Sequence, residues 1–345
     1  MKALKFCAGV FLLFAACSTS SPSKRLPASS LLQTRFLTIP HGNRSLNLRI
    51  GIQNPDGPVI GDVLYIHGFA DRLDNHAPLF DAWTRAGLRV IAFDLPSHGE
   101  DSGSNNDLNY FNFEALVSLA AQVEEETKAP ETADVKRPLI LAGWSTGGLI
   151  ITRLLQKSWL AGFSRPISGV ILFAPGVSVR KFPWTFGNKI GEVTLATLTH
   201  DPHPPHVGPI QPGSPFWSKL AVGFAPRLVA NSVLSQAEEY PLGLKTLVFS
   251  GGDAEDVYAK AWAVRGWVDE QNALRNDEND ANIISISCPH AMHEMDNELP
   301  EYGGVEVRET AVEFAREVAL DNKAPFFEAS KPYGTICSRV DHEYP

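Results

Sequence analysis

A serine hydroxyl, an imidazole and a carboxylate can cleave an acyl bond when they meet. The imidazole takes the hydroxyl proton, and the carboxylate holds the imidazole in the right tautomer. The chain offers all three. Ser145 stands in Leu-Ile-Leu-Ala-Gly-Trp-Ser-Thr-Gly-Gly (139–148), flanked by Gly143 and Gly147. An apolar run enters this stretch. Leu149, Ile150, Leu154 and Leu155 leave it at helical spacing. The pattern predicts a strand turning sharply into a helix, with Ser145 held clear of the sheet at a helix N-terminus. Small residues beside the serine let the turn pass its neighbours. The bare Gly-x-Ser-x-Gly pattern is common; the strand before it and the helix after it are what favour a nucleophile elbow.

In an elbow of this kind the chain order is serine, acid, histidine, and each partner follows a strand. After the apolar run 245–250 comes Gly251-Gly252-Asp253-Ala254-Glu255-Asp256. Asp253, in the turn directly beyond the strand, is the expected acid, with Asp256 the main alternative and Glu255 a lesser one. After the run 282–287 come His290 and His293. His293 lies farther from the strand end, where a loop can carry it over Ser145, and is the expected base; His290 then stands nearby or on the surface. A tetrahedral oxyanion needs two donors. The expected donors are the backbone N–H groups of Thr146, after the nucleophile, and Phe69, after His67-Gly68.

These residues need a scaffold. Residues 35–39 and 46–53 predict an antiparallel pair, and Asn54-Pro55-Asp56-Gly57-Pro58 a turn. Short apolar runs at 63–66, 89–93, 139–142, 169–173, 245–250 and 282–287 read as buried strands. Helical spacing follows at 78–86, 111–127, 146–159, 257–274 and 305–320. Such alternation predicts an α/β fold: a mostly parallel sheet covered by helices on both faces, with ligands beyond the C-terminal strand ends. Residues 179–242 break the alternation. They are rich in Pro, Gly and aromatics, including Phe182, Trp184, Phe186, Phe216, Trp217 and Phe224. So much apolar surface predicts a packed cap rather than a loose loop. The expected organisation is core at 34–178 and 243–320, a cap insertion at 179–242 and a tail at 321–345.

The first residues read as an export signal: Lys2 and Lys5, an apolar stretch too short to span a bilayer, then Ala15-Ala16-Cys17 and a Ser-rich run. This resembles a bacterial lipoprotein signal. The resemblance implies removal of 1–16, lipidation of Cys17, a tether over 17–33 and a lipid-anchored position in the cell envelope. Ser18 implies the outer membrane if the cell has one. An ordinary signal peptide is the alternative, giving a periplasmic or secreted protein. A formal charge of −9 argues against nucleic acid as a partner. Cys288 and Cys337 are free to pair outside the cytoplasm, or to remain thiols. No Cys/His spacing resembles a zinc site. His200, His203 and His206 lie in a proline-rich run that reads as a surface loop, so no metal or other cofactor is expected.

Together the motifs resemble the α/β-hydrolase superfamily, in the branch of monoacylglycerol lipases, lysophospholipases and S33-type serine peptidases. The resemblance covers roughly residues 35–320. It rests on His67-Gly68-Phe69, Asp94 with His98-Gly99, Gly143-Trp144-Ser145-Thr146-Gly147-Gly148, Gly252-Asp253, and His293-Glu294 with Glu298. The last match is what sets His293 above His290. Trp144 and Ser97 stand where this branch often has histidine and glycine. The acid turn lacks the usual apolar pair after Asp253, which keeps Asp256 open. The resemblance implies a cofactor-independent serine hydrolase of carboxylic esters, with a small-molecule ester or lipid substrate. An aminopeptidase of the S33 type is the alternative; it would need an acidic anchor such as Glu192, Asp201, Glu238 or Glu239. A non-catalytic lipoprotein built on the same fold is a further alternative.

Overall fold

The apolar runs pair into one sheet because each is buried on both faces and must satisfy its backbone groups laterally. The computed structural model describes residues 32–41, 44–99, 112–128, 137–158, 162–179, 195–204, 215–241, 243–274, 283–320 and 334–340. The expected export signal, Cys17 and all of the tether before residue 32 lie outside the described residues, as do Glu192 and His206. Among the described residues no helix is long and apolar enough to cross a membrane.

Nine strands form the sheet: β1 (Gln33–His41), β2 (Arg44–Gln53), β3 (Gly61–Ile66), β4 (Leu88–Phe93), β5 (Leu139–Trp144), β6 (Ile167–Phe173), β7 (Thr246–Ser250), β8 (Ile283–Ser287) and β9 (Ser338–Arg339). Their order is β1-β2-β4-β3-β5-β6-β7-β8-β9. The stretch from β4 to β8 is parallel, whereas β1, β2 and β9 join antiparallel at the edges. The helices are α1 (Ala77–Arg85), α2 (Phe113–Thr127), α3 (Thr146–Gln156), α4 (Pro215–Ala237), α5 (Ala261–Ala273) and α6 (Gly304–Ala319).

Two apolar layers sandwich the sheet. On one face Phe80 and Trp83 of α1 and Phe314 of α6 pack against Tyr65, Val90 and Phe249. On the other, Leu116 of α2, Leu149 and Leu154 of α3 and Trp267 of α5 pack against Leu64, Ile91 and Leu172. All the chemically suggestive motifs therefore hang from the C-terminal ends of the parallel strands.

Two elements add to the sequence reading. The interval 179–242, expected as a packed cap, contains the long helix α4. Its sequence has no single apolar stripe and carries Pro226 inside the helix, so periodicity does not reveal it. Phe224 and Leu228 are buried in the second apolar layer, and buried Arg153 of α3 pairs with Glu238, just after α4, at 2.9 Å. The tail also joins the core. β9 pairs with β8, and Cys337 is disulfide-bonded to Cys288. Glu306, in the first turn of α6, accepts the backbone N–H groups of Thr335, Ile336 and Cys337.

Candidate active site

The elbow is built where β5 meets α3. Ser145 adopts φ 52° and ψ −111°, a region that strains a side chain. Its N–H donates to Phe173 O at 2.9 Å, and its carbonyl accepts from Gly176 N at 2.8 Å and Leu149 N at 3.0 Å. Those bonds hold the strained residue in place. A Cβ on Gly147 would lie 2.0 Å from Ile66 O, and one on Gly143 2.7 Å from the backbone of Gly147. The glycines are thus required by close approach of β3 and of the elbow to itself.

Ser145 Oγ lies 2.8 Å from His293 Nε2. His293 Nδ1 lies 3.0 Å from Asp256 Oδ2. With the Nδ1 proton donated to the carboxylate, Nε2 turns a lone pair towards the hydroxyl. The other oxygen of Asp256 accepts the N–H groups of Tyr258 and Ala259, both at 2.9 Å. The acid is thus fixed by the start of the segment leading to α5.

This corrects the expectation for the acid. Asp253 points to solvent, with 51% of its side chain exposed, and pairs with Arg265 at 2.8 Å. Asp256 has 1% exposed. The reason is the shape of the turn after β7. Gly252 N donates to Ala291 O, and Asp256 N donates to Gly252 O, so the chain curls back before an acid faces the histidine loop. A Cβ on Gly252 would strike Pro289 O at 2.2 Å. Among the histidines, His290 is exposed, and His293 is the one brought to Ser145.

Neighbours fix the imidazole from several sides. Trp144 is buried and donates its indole N–H to His293 O at 2.8 Å. The Tyr258 ring lies 5.1 Å from the imidazole, and its hydroxyl bonds Thr197 at 2.7 Å. Buried Glu298 accepts the N–H groups of Met292 at 2.8 Å and His200 at 3.0 Å. His200 also meets Glu298 through Nδ1 at 3.0 Å and stacks on Tyr302, while His203 is exposed.

The loop after β3 runs beside the serine. A Cβ on Gly68 would fall 2.5 Å from the Trp144 ring and 3.2 Å from Ser145 Cβ. Only glycine lets this backbone come so near. Phe69 follows, its ring stacked at 6.0 Å on Phe224 of α4, which in turn stacks at 5.9 Å on Phe113. Thr146 opens α3, so its N–H has no intrahelical acceptor. The two expected oxyanion donors therefore stand on the two segments that flank Ser145.

Two buried histidines set the path of this loop. His98 Nε2 accepts Ala70 N–H at 3.0 Å, and its Nδ1 donates to Pro96 O at 2.9 Å. His67 Nε2 accepts Leu95 N–H at 2.9 Å, and its Nδ1 donates to Gly68 O at 2.6 Å. Both must be neutral to accept those bonds. Burial lowers both, and His98 is pushed down to about 4. Ser97 takes φ 73° and Gly99 φ 77°, and a Cβ on Gly99 would strike Asp94. Serine thus occupies a left-handed position that favours glycine.

Asp71, His76 and Glu294 bring potential metal donors within 4.8 Å of one another. Both nitrogens of His76 already meet carboxylates, Asp71 and Asp296, at 2.7 Å each. A ring donating both N–H groups has no lone pair for a metal. Asp71, His76 and Asp296 carry no motif, and nothing in their spacing points to this cluster.

A model of the "Alpha/beta hydrolase family" matches residues 63–321. The search of curated proteins finds no matching relative. Among solved structures, the chain is similar to a soluble variant of monoglyceride lipase from Saccharomyces cerevisiae solved with a substrate analog. That match has 16% identity and a TM-score of 0.61 over 86% of this chain and 100% of that one. A monoacylglycerol lipase from Paleococcus ferrophilus matches at 19% identity and TM-score 0.57, over 79% and 100%. A carboxyl esterase from Bacillus coagulans matches at 17% identity and TM-score 0.55, over 84% and 100%.

Proposed function

The chain belongs to the alpha/beta hydrolase family, and on that premise we propose that it is a serine hydrolase of carboxylic esters. The observation that carries this reading is the unbroken path from Ser145 Oγ to His293 to Asp256, at 2.8 and 3.0 Å. Ser145 attacks the acyl carbonyl as His293 takes its proton. Asp256 keeps the ring oriented and stabilises the imidazolium. The N–H groups of Phe69 and Thr146 receive the developing oxyanion. Loss of one such donor typically raises the barrier by about 3 kcal/mol. His293 then protonates the leaving alcohol, the acyl group remains on Ser145, and a water activated by the same ring releases the acid.

Monoglycerides or lysophospholipids are the substrates we favour. The support is the aromatic residue Phe69 on the loop beside the serine, backed by buried Phe224 and Phe113, and, for monoglycerides, the names of the structural neighbours. For the aminopeptidase alternative, none of the described candidate anchors is tied to Ser145 by a contact. Glu238 is paired with Arg153 and Lys157, Glu239 is exposed, and Asp201 accepts His203 N. For location we propose an exported protein tethered through lipidated Cys17. A disulfide between Cys288 and Cys337 is consistent with an oxidising compartment.

Fluorophosphonate labelling of the folded protein tests the reading. Label on Ser145, lost in Ser145→Ala, is expected, together with turnover of para-nitrophenyl esters rising with acyl length. A folded protein that never labels overturns it, and faster cleavage of aminoacyl anilides than of esters moves it to the peptidase class.

A further inference from the structure

His76 lies directly behind the site, wholly buried at the start of α1. Its Nε2 meets Asp71 on the loop that carries Phe69, at 2.7 Å. Its Nδ1 meets Asp296, in the turn just after His293, also at 2.7 Å. The two acids are themselves held. Asn75 Nδ2 donates to Asp71 at 2.7 Å, and Arg308 of α6 donates to the backbone carbonyl of Asp296. Asn297, next in the turn, donates both to Asn75 O and to Glu294, each at 2.8 Å. The His76 ring also lies 5.6 Å from Trp144, whose indole holds the His293 carbonyl.

We infer that His76 is a positioning residue, an imidazolium clamp that fixes the spacing between the Phe69 loop and the His293 loop. The inference rests on the serine-hydrolase reading, because it concerns the two loops that bracket Ser145 in that reaction.

The chemistry supports a charged ring. Both carboxylates are acceptors, so an imidazole between them is most stable with a proton on each nitrogen. Burial alone would favour the neutral ring, but Asp296 and Asp71 hold the proton on and keep His76 well above the ordinary histidine range. The other groups facing this cluster are Glu294 beside His293, Tyr65 on β3, His67 at the end of β3 and Arg308 on α6. Asp71 and Asp296 sit on separate loops with no strand or helix in common. The ring between them is the direct side-chain link between the two acids, beside the Asn297 to Asn75 hydrogen bond. Misplacement of reacting groups by about 1 Å can cost about 10²-fold in rate, which is the scale on which such a clamp acts.

The test uses Asp71→Asn, Asp296→Asn and the double variant in the full-length protein, each checked for cooperative unfolding and assayed with a para-nitrophenyl ester. Each single change should lower kcat at least about tenfold and leave KM within about threefold. Either change severs the same connection, so the double variant should be little worse than the poorer single one. Folded single variants with wild-type kcat overturn the clamp, as do losses that multiply in the double variant. Should a variant fail to fold, spectra of the wild-type protein with nitrogen-labelled histidine decide. One slowly exchanging ring protonated on both nitrogens at pH 8 is expected, and every ring neutral at that pH overturns it. Wild-type turnover abolished by Ser145→Ala is the control that separates the two readings. Without it the hydrolase reading falls; with it, fully active Asn variants remove only the clamp.

Discussion

Asp253 and Asp256 belong to one turn, yet one meets solvent and Arg265 while the other is sealed against His293. The difference makes a direct test at the residue scale. Asp256→Asn should keep the fold but leave the imidazole with a wrong tautomer preference, lowering kcat on the order of 10³–10⁴-fold. Asp253→Asn removes only a surface pair, worth about 0–1 kcal/mol, and should leave kcat within about twofold. Ester turnover by the two purified variants checks this. Equal losses, or a loss at Asp253 alone, would restore the first choice of acid. The types and order of the three residues are visible in the chain. Which carboxylate faces inward is not, because it depends on how Gly251 and Gly252 let the turn fold under the loop that ends at Ala291.

At the scale of elements, the loop after β3 depends on neutral histidines. His98 titrates at about 4 when folded, against its ordinary value of 6.5, because burial disfavours its charged form. The unfolded chain therefore binds this proton first. Stability from His98 is complete above about pH 6.5, declines as the pH falls towards about 4, and changes no further below that. The shift corresponds to about 3 kcal/mol. Buried Asp94, pushed up to about 6, acts in the opposite direction over part of this range, so the contribution is best read as a difference. Urea unfolding of wild type and His98→Asn should show a stability gap that narrows by about 2–3 kcal/mol between pH 7 and pH 4. A gap independent of pH would mean that His98 is not held neutral. The same loop explains why His67-Gly68 and His98-Gly99 matter together: each histidine accepts a backbone N–H from the other's loop region, Leu95 and Ala70 respectively.

Over the whole molecule, the tail closes the sheet beside the strand that launches His293. Cys288 follows β8, Cys337 precedes β9, and the two are separated by 49 residues in the chain. A Cβ on Gly303 would lie 2.6 Å from Cys337 Sγ, so the turn into α6 passes close against this bond. Closing a loop of this length is worth about 4 kcal/mol on the chain-entropy estimate. Cys337→Ser should therefore lower the unfolding free energy by roughly that amount, and reductant should destabilise wild type while leaving the variant unchanged; urea titrations with and without reductant read both.

The sequence by itself determined the layered fold, the elbow serine and the order of its partners, because burial on both faces and the glycines of a sharp strand-to-helix turn leave direct marks at short range. Tertiary structure alone decided which carboxylate meets His293, the helix α4 and the buried cluster around His76. Those depend on contacts between segments far apart in the chain, Gly252 with Ala291, Arg153 with Glu238 and His76 with Asp296, and a distance through space leaves no periodicity along the chain.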